Sequence, residues 1–246
     1  MNLNTRLPAL GLNPGEIHQR VITCGDPARA EMISKLLENP VCMAKNREYW
    51  TYNGLHKGTP VTVTSHGVGC GGAVILFESL WRAGAKAVIR VGTCGGMQEG
   101  IDAGSIVVAT AACREEGVTD KIIPGSYPAV ADMEVTSRLL EAAERHQVNV
   151  HRGIVLTQAL FYPGYLESKV KLYAKAGVVA MENEAASLFV VSSLHGMKAG
   201  AILAADAKAF ELVGVENYQP STSLVKEAVE NEIKIALDAI IATSVK

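Results

Sequence analysis

Strand-length apolar runs that stop at glycine or a polar turn, each followed by a segment of helical period, recur along this chain and restrict it to few architectures. Val21 and Ile22 lead one such run, which ends at Gly25-Asp26-Pro27, a turn by its chemistry. Pro60–His66 alternates at period two, and Lys86–Thr93, Ser105–Ala112 and Gly153–Thr157 are further strands. Ala199–Ala205 (AGAILAA) is apolar enough to be buried on both faces. Helices are predicted over Gly71–Trp81, with Val74, Phe77, Glu78 and Trp81 at helical spacings, over Glu134–Arg145, and over the apolar Ala185–Leu194. The last segment sets Val225, Val229, Ile233, Ala236 and Ile240 on one helical face, behind Ser/Thr residues suited to capping. Alternation of this kind implies an α/β fold. With no linker, repeat or low-complexity tract, a single domain over residues 1–246 is expected.

Composition removes other classes. With 48% hydrophobic and 20% charged residues the chain is neither disordered nor fibrous. A net charge of −2 offers no basic stripe for nucleic acid. No apolar run reaches membrane-spanning length, and MNLNTRLPALGLNPGE lacks the apolar core of a signal peptide. Cys24, Cys42, Cys70, Cys94 and Cys113 form no C-x-x-C pair, which suits reduced thiols and a cytoplasmic location. The six histidines have no metal-ligand spacing, so no metal is expected.

In α/β sheets ligands gather where strands end and helices begin, and polar residues collect at four such ends. At Gly25–Arg29 a bare glycine backbone and a following arginine suit an anion; an ordinary strand-to-helix turn explains the same residues. At Arg90–Gly96 an arginine lies inside an apolar strand before a Gly/Thr turn. A buried guanidinium needs an anionic partner, either a ligand or a structural carboxylate. Glu182-Asn183-Glu184 sets two acids beside an apolar helix, where acids also serve as dipole partners. Asp206 closes the run Ala201–Ala205, as a cap or as a general acid. The glycines of Ser65–Gly72 do not match a dinucleotide fingerprint and suit close helix packing instead.

The ordered set GDPAR (25–29), NREY (46–49), SHGVG (65–69), RVGTCGG (90–96), FYPG (161–164), ENEAASL (182–188) and Asp206 resembles the hexameric purine nucleoside phosphorylase and uridine phosphorylase family. The spacing from Glu184 to Asp206 is most similar to the purine enzymes of protozoan parasites. The resemblance implies a central mixed sheet, partly closed into a barrel and flanked by helices. It implies reversible phosphorolysis of purine ribo- or 2′-deoxyribonucleosides to free base and pentose 1-phosphate. Inorganic phosphate would be co-substrate, with no cofactor. Phosphate would be held by Gly25, Arg29, Arg90 and Thr93, with Arg47 supplied by a neighbouring subunit. Glu182, Asn183 and Glu184 would hold ribose, Glu184 accepting from the 2′- and 3′-hydroxyls, while Cys94, Gly95 and Phe161 would line the base pocket. Asp206 would protonate or hydrogen-bond N7 of the purine as it leaves. The resemblance also implies a homo-oligomer, with a dimer as active unit and a trimer of dimers as assembly.

The chain departs from the family pattern in places. Asn183 stands where the family has methionine, and Ala9 where a histidine is lent to the ribose 5′-hydroxyl of the adjacent subunit. Ala207 replaces a glycine, and Lys208–Gly214 lacks the tryptophan of some parasite enzymes. Uridine phosphorylase is the nearest alternative, but Tyr165-Leu166-Glu167-Ser168 follow FYPG where that enzyme has its uracil-reading glutamine and arginine. A hydrolytic nucleosidase would not need Arg29, Arg47 and Arg90 together, and a non-catalytic nucleoside-binding relative would not need Glu184 and Asp206.

Overall fold

Along each central strand, consecutive apolar residues feed two different cores. Val21, Val88, Val107 and Leu203 pack with the helices on one side of the sheet, and their neighbours Ile22, Ile89, Val108 and Ile202 with those on the other. This two-faced burial is why these runs read as continuously apolar. A computed structural model describes residues 6–162, 164–209 and 222–245.

The strands are β1 (Arg20–Cys24), β2 (Glu38–Asn46), β3 (Tyr49–His56), β4 (Thr59–Ser65), β5 (Ala87–Gly96), β6 (Ile106–Glu115), β7 (Ala129–Val130), β8 (His151–Gln158), β9 (Ala180–Glu182) and β10 (Lys198–Lys208). The helices are α1 (Pro27–Ser34), α2 (Cys70–Ala83), α3 (Met133–Arg145), α4 (Val170–Lys175), α5 (Ala185–His195) and α6 (Ser223–Ala242). The sheet runs β10-β6-β8-β9-β5-β1-β4-β3-β2, and β10 also pairs with β5. That extra pairing closes five strands into a barrel, from which β1, β4, β3 and β2 extend as an open wing. The mixed sheet and partly closed barrel expected for the chain are therefore present.

Strand β5 is the hinge of the design. It lies parallel to β1 (Ile22 opposite Ile89) and to β10 (Ala201 opposite Arg90), and its last residues pair antiparallel with β9. Helices α2 and α5 cover one face, and α1, α3 and α6 the other. Local chemistry starts and stops the helices. Asp26, Asp132 and Thr222 accept from the backbone N–H groups of Ala28, Val135 and Val225, and Gly84 and Gly196 end α2 and α5 in the left-handed conformation.

The β2–β3 hairpin is absent from the sequence reading. Strand β2 is the outer edge and mostly exposed, so no inward face imposes alternation on it. No helix among the described residues is long and apolar enough to cross a membrane.

Helix α6 is fastened to the open wing and to the end of α3 through Asp238. Its carboxylate accepts from His56 Nε2 (2.7 Å), Lys57 Nζ (2.7 Å) and His146 Nε2 (3.0 Å). Burial raises the Asp238 carboxyl, but Lys57, His56 and His146 outweigh it and hold the group down at about 2. A depressed acid contributes stability that is full above the unfolded value of roughly 4 and is lost as pH falls through the folded one. Asp238→Asn should therefore lower stability at pH 6 by about 1–2 kcal/mol, with the difference shrinking below pH ~3, as read by thermal denaturation across that range.

Candidate active site

Arg90 is the residue of β5 that the barrel cannot bury alone. It is 3% exposed, and its guanidinium donates to Glu182 Oε2 (3.2 Å) and to Glu184. Burial works against its charge, but Glu184 and Glu182 more than restore it. The carboxylates that answer the need for a counter-ion thus come from the Glu182-Asn183-Glu184 segment. The space for Arg90 comes from Gly92, where a Cβ would lie 2.1 Å from Arg90 Nη1.

Glu182 also organises the start of α5. Its Oε2 accepts from the backbone N–H groups of Glu184 and Ala185, both at 2.8 Å, and its Oε1 accepts from Thr157 Oγ1 at 2.5 Å. It is therefore the helix cap that an acid at this position can be. Glu184 is held by Arg90 and by the N–H of Gly69 (2.6 Å). Burial pushes the Glu184 carboxyl up, and Arg90 opposes that rise. Asn183 donates from Nδ2 to Gln158 O (2.7 Å) and accepts at its carbonyl from Cys70 Sγ, so its carboxamide ties the β9–α5 junction to the end of β8.

Asp206 sits at an irregularity in the β10–β5 pairing. Ala205 opposes Cys94 and Ala207 opposes Gly95, leaving Asp206 as the extra residue. Such a bulge re-aims a side chain, and bulges concentrate beside active sites. Asp206 faces a cleft lined also by Thr93, Cys94, Gly95, Phe161, Glu182 and Asn183, together with Gln158 and Met181.

The structure thus gathers the expected base and ribose residues in one place, with Arg90 and Glu184 joined to it through Glu182. Gly25 and Arg29 lie at the end of β1, beside β5. Gly25 faces the Gly67 carbonyl, and both Arg29 and Arg90 act electrostatically on Cys24. Arg47 stands apart. It occupies the exposed β2–β3 turn with φ of 52°, and no hydrogen bond or ion pair joins its side chain to the described residues. Asn46 beside it donates to the carbonyls of Pro8 and Ala9 (2.7 and 2.6 Å), which ties the base of the Arg47 turn to the Pro8–Ala9 backbone, although Ala9 itself is buried. Pro163 and residues 210–221, which include most of the 208–214 loop, lie outside the described residues.

Sequence reasoning passed over Gln158, which the strand-end rule could have found, and Glu232, described below. It also passed over His66, which is fully buried with Nδ1 2.7 Å from Gly67 O. Burial and the nearby Arg90 push His66 well below its ordinary value.

A buried Arg–Glu–Glu cluster, a bulged aspartate and an adjoining cleft thus lie together at the strand ends of this barrel-bearing α/β domain. Residues 19–242 match the family described as Phosphorylase superfamily, and the chain belongs to that family. It is 35% identical to guanosine phosphorylase of Halorubrum lacusprofundi over 96% of this chain and 98% of that one. It is 38% identical to uridine phosphorylase of Treponema pallidum over 94% and 92%. The structure of purine nucleoside phosphorylase from Toxoplasma gondii in complex with immucillin-H superposes with a TM-score of 0.91 at 32% identity, covering 98% of this chain and 96% of that one.

The dependence of Arg90 on Gly92 is directly testable. Gly92→Ala forces the guanidinium out of its seat, an overpacking that should cost about 1–3 kcal/mol. Chemical denaturation of the variant and parent measures that loss.

Proposed function

We propose that the chain catalyses reversible phosphorolysis of purine nucleosides, with Asp206 as the acid at the base. The carrying observation is the bulge that turns Asp206 into the cleft beside Cys94 and Gly95. A purine leaves poorly as an anion and well when N7 is protonated or strongly hydrogen-bonded, and a positioned acid supplies roughly two to four orders of magnitude in rate. A pyrimidine has no N7, so an acid at this place favours the purine reading.

In the proposed reaction phosphate attacks C1′ as the base departs. Gly25 and Thr93 offer backbone and hydroxyl donors, and Arg29 and Arg90 offer guanidinium groups that can each pair with two oxygens. Glu184 takes the ribose hydroxyls, exchanging part of its contact with Arg90 for them. That exchange leaves Arg90 a free edge for phosphate when ribose is present. Glu182 serves this site by fixing the α5 terminus, and Phe161 packs on the sugar or base. Arg47 enters the neighbouring subunit's site. Its exposed position, with no side-chain hydrogen bond or ion pair to the described residues, supports an assembly of at least two chains.

Uridine phosphorolysis is the second reading. Relatives of comparable identity carry the names guanosine phosphorylase and uridine phosphorylase. The Gln158 carboxamide at the cleft donates one N–H to the Leu160 carbonyl (2.8 Å), which leaves its second N–H and its oxygen for a base edge.

Release of base from inosine and from uridine, each with and without phosphate, separates these readings. Inosine turnover that requires phosphate is expected, and phosphate-independent release would identify a hydrolase. Asp206→Asn should lower kcat on inosine by about 10²-fold or more while barely changing uridine turnover. Equal losses on both substrates would place Asp206 in a structural role.

Assembly is tested by dilution. Specific activity should fall as sedimentation shows the chain passing to monomer, and Arg47→Ala should raise the phosphate KM without changing the assembly. Full activity of a monomer would remove Arg47 from the site.

A further inference from the structure

Glu232 is an acid where α6 should carry an apolar residue. It is completely buried, and among the described residues neither carboxylate oxygen meets a hydrogen-bond donor in ordinary geometry; the backbone N–H groups of Gly92 and Ala204 act on it from outside that geometry. Its nearest cation is Arg29, with Nη1 3.8 Å from Oε1. Arg29 rises from the first turn of α1, directly after the Gly25 turn, and keeps 22% side-chain exposure. The Arg29 guanidinium therefore meets a buried carboxylate on α6 while staying partly open to solvent, four residues after Gly25.

We propose that Glu232 is a positioning residue for the oxyanion: ionised, it holds the Arg29 guanidinium back toward α6, and protonated, it leaves that guanidinium to an anion at the Gly25 turn. The inference rests on the phosphate reading of this turn. A carboxylate buried with a guanidinium at 3.8 Å and no well-formed hydrogen bond is costly as an anion, and these partners repay only part of that cost. The neutral acid is correspondingly favoured. Burial drives the Glu232 carboxyl up to about 8, against the pull of Arg29, Arg90 and the Gly92 and Ala204 amides. A dianion drawn to Arg29 raises it further, so binding draws a proton from solvent onto Glu232.

The guanidinium and thiols around it do not titrate in this range, and Glu184, itself pushed up by burial, lies across Arg90 and is left in place by Glu232→Gln. Arg90 of β5 stays charged. The Cys24 thiol of β1 is pushed up to about 12 by burial, and the Cys94 thiol of β5 well above its ordinary value. Further along α6, Asp238 is paired with His56, Lys57 and His146.

Sulfate is the probe, because it remains a dianion from pH 7 to 9 and so carries no titration of its own. Calorimetry of the full-length protein, in buffers of differing ionisation heat, gives affinity and proton uptake together. In the parent, sulfate affinity should fall about tenfold from pH 7 to pH 9, with uptake near one proton per sulfate at pH 9 and about a tenth of one at pH 7. Glu232→Gln keeps the shape and cannot titrate, so its affinity should stay within about twofold across the range without uptake. During turnover the parent's phosphate KM should rise with pH at constant kcat, and that of Glu232→Gln should not.

Sulfate binding with the same pH slope and uptake in Glu232→Gln as in the parent would overturn the assignment to Glu232. Should the variant fail to fold, the parent alone decides: binding at pH 9 without proton uptake overturns the proposal. A parent that binds neither sulfate nor phosphate at any pH would instead remove the anion site itself.

Discussion

A guanidinium inside a barrel strand is the constraint from which much of this molecule follows. Arg90 is too costly to bury without anions, and the chain meets that cost with Glu182 and Glu184, more than ninety residues away in sequence. To bring them there, the fold places β9 against β5 and β8 and starts α5 at the same point. Glu182 then both pairs with Arg90 and caps α5, so loss of either contact disturbs the other. The ion pair accordingly fixes where the strand ends converge.

Barrel closure does the rest of the positioning. Because β5 pairs with β10 over almost its whole length, the extra residue at Asp206 cannot be absorbed by slippage and must project from the ladder. It projects where β5 carries Cys94 and Gly95, small residues that leave room for a ligand. On the opposite flank, β1 delivers Gly25 and Arg29 in parallel with the same strand. One strand thus sets the register of Asp206 and of the Gly25 turn together.

The central strands and principal helices were legible because two-faced burial and helical period leave strong marks: β5, β6, β10, α2, α3, α5 and α6 lie within a few residues of their sequence positions. The β2–β3 hairpin was not legible, since an exposed edge strand has no buried face to impose a pattern. The candidate site residues stood out as polar residues at strand ends, but their partnerships did not, because Arg90 and Glu184 are neighbours only after the barrel closes. Glu232 did leave a signal. It lies seven residues after Val225 and four before Ala236, on the apolar stripe of α6. An acid in that register marks a buried charge, whereas the flanking Glu230, Asn231 and Lys234 make it look like part of a solvated surface. Asn183 shows the reverse: a polar residue at an apolar position of the family pattern is absorbed locally, by its bond to the Gln158 carbonyl.

The charges of the resting site bear on how an anion could enter it. Arg29 and Arg90 supply two guanidinium groups, and the carboxyl groups of Glu182, Glu184 and Glu232 lie against them, so the cluster holds no ready surplus of positive charge. A phosphate dianion brought into such a cluster would be repelled unless further positive charge came with it or a carboxylate gave way. On the proposed reading both happen. Glu184 turns part of its charge to ribose hydroxyls, and Arg47 of a neighbouring chain adds a cation that this chain places on an exposed turn, without an ion pair to the described residues. Phosphate binding, ribose binding and assembly then become coupled through one charge balance, and Arg90, shared between the carboxylates and the anion, is the group through which the coupling passes.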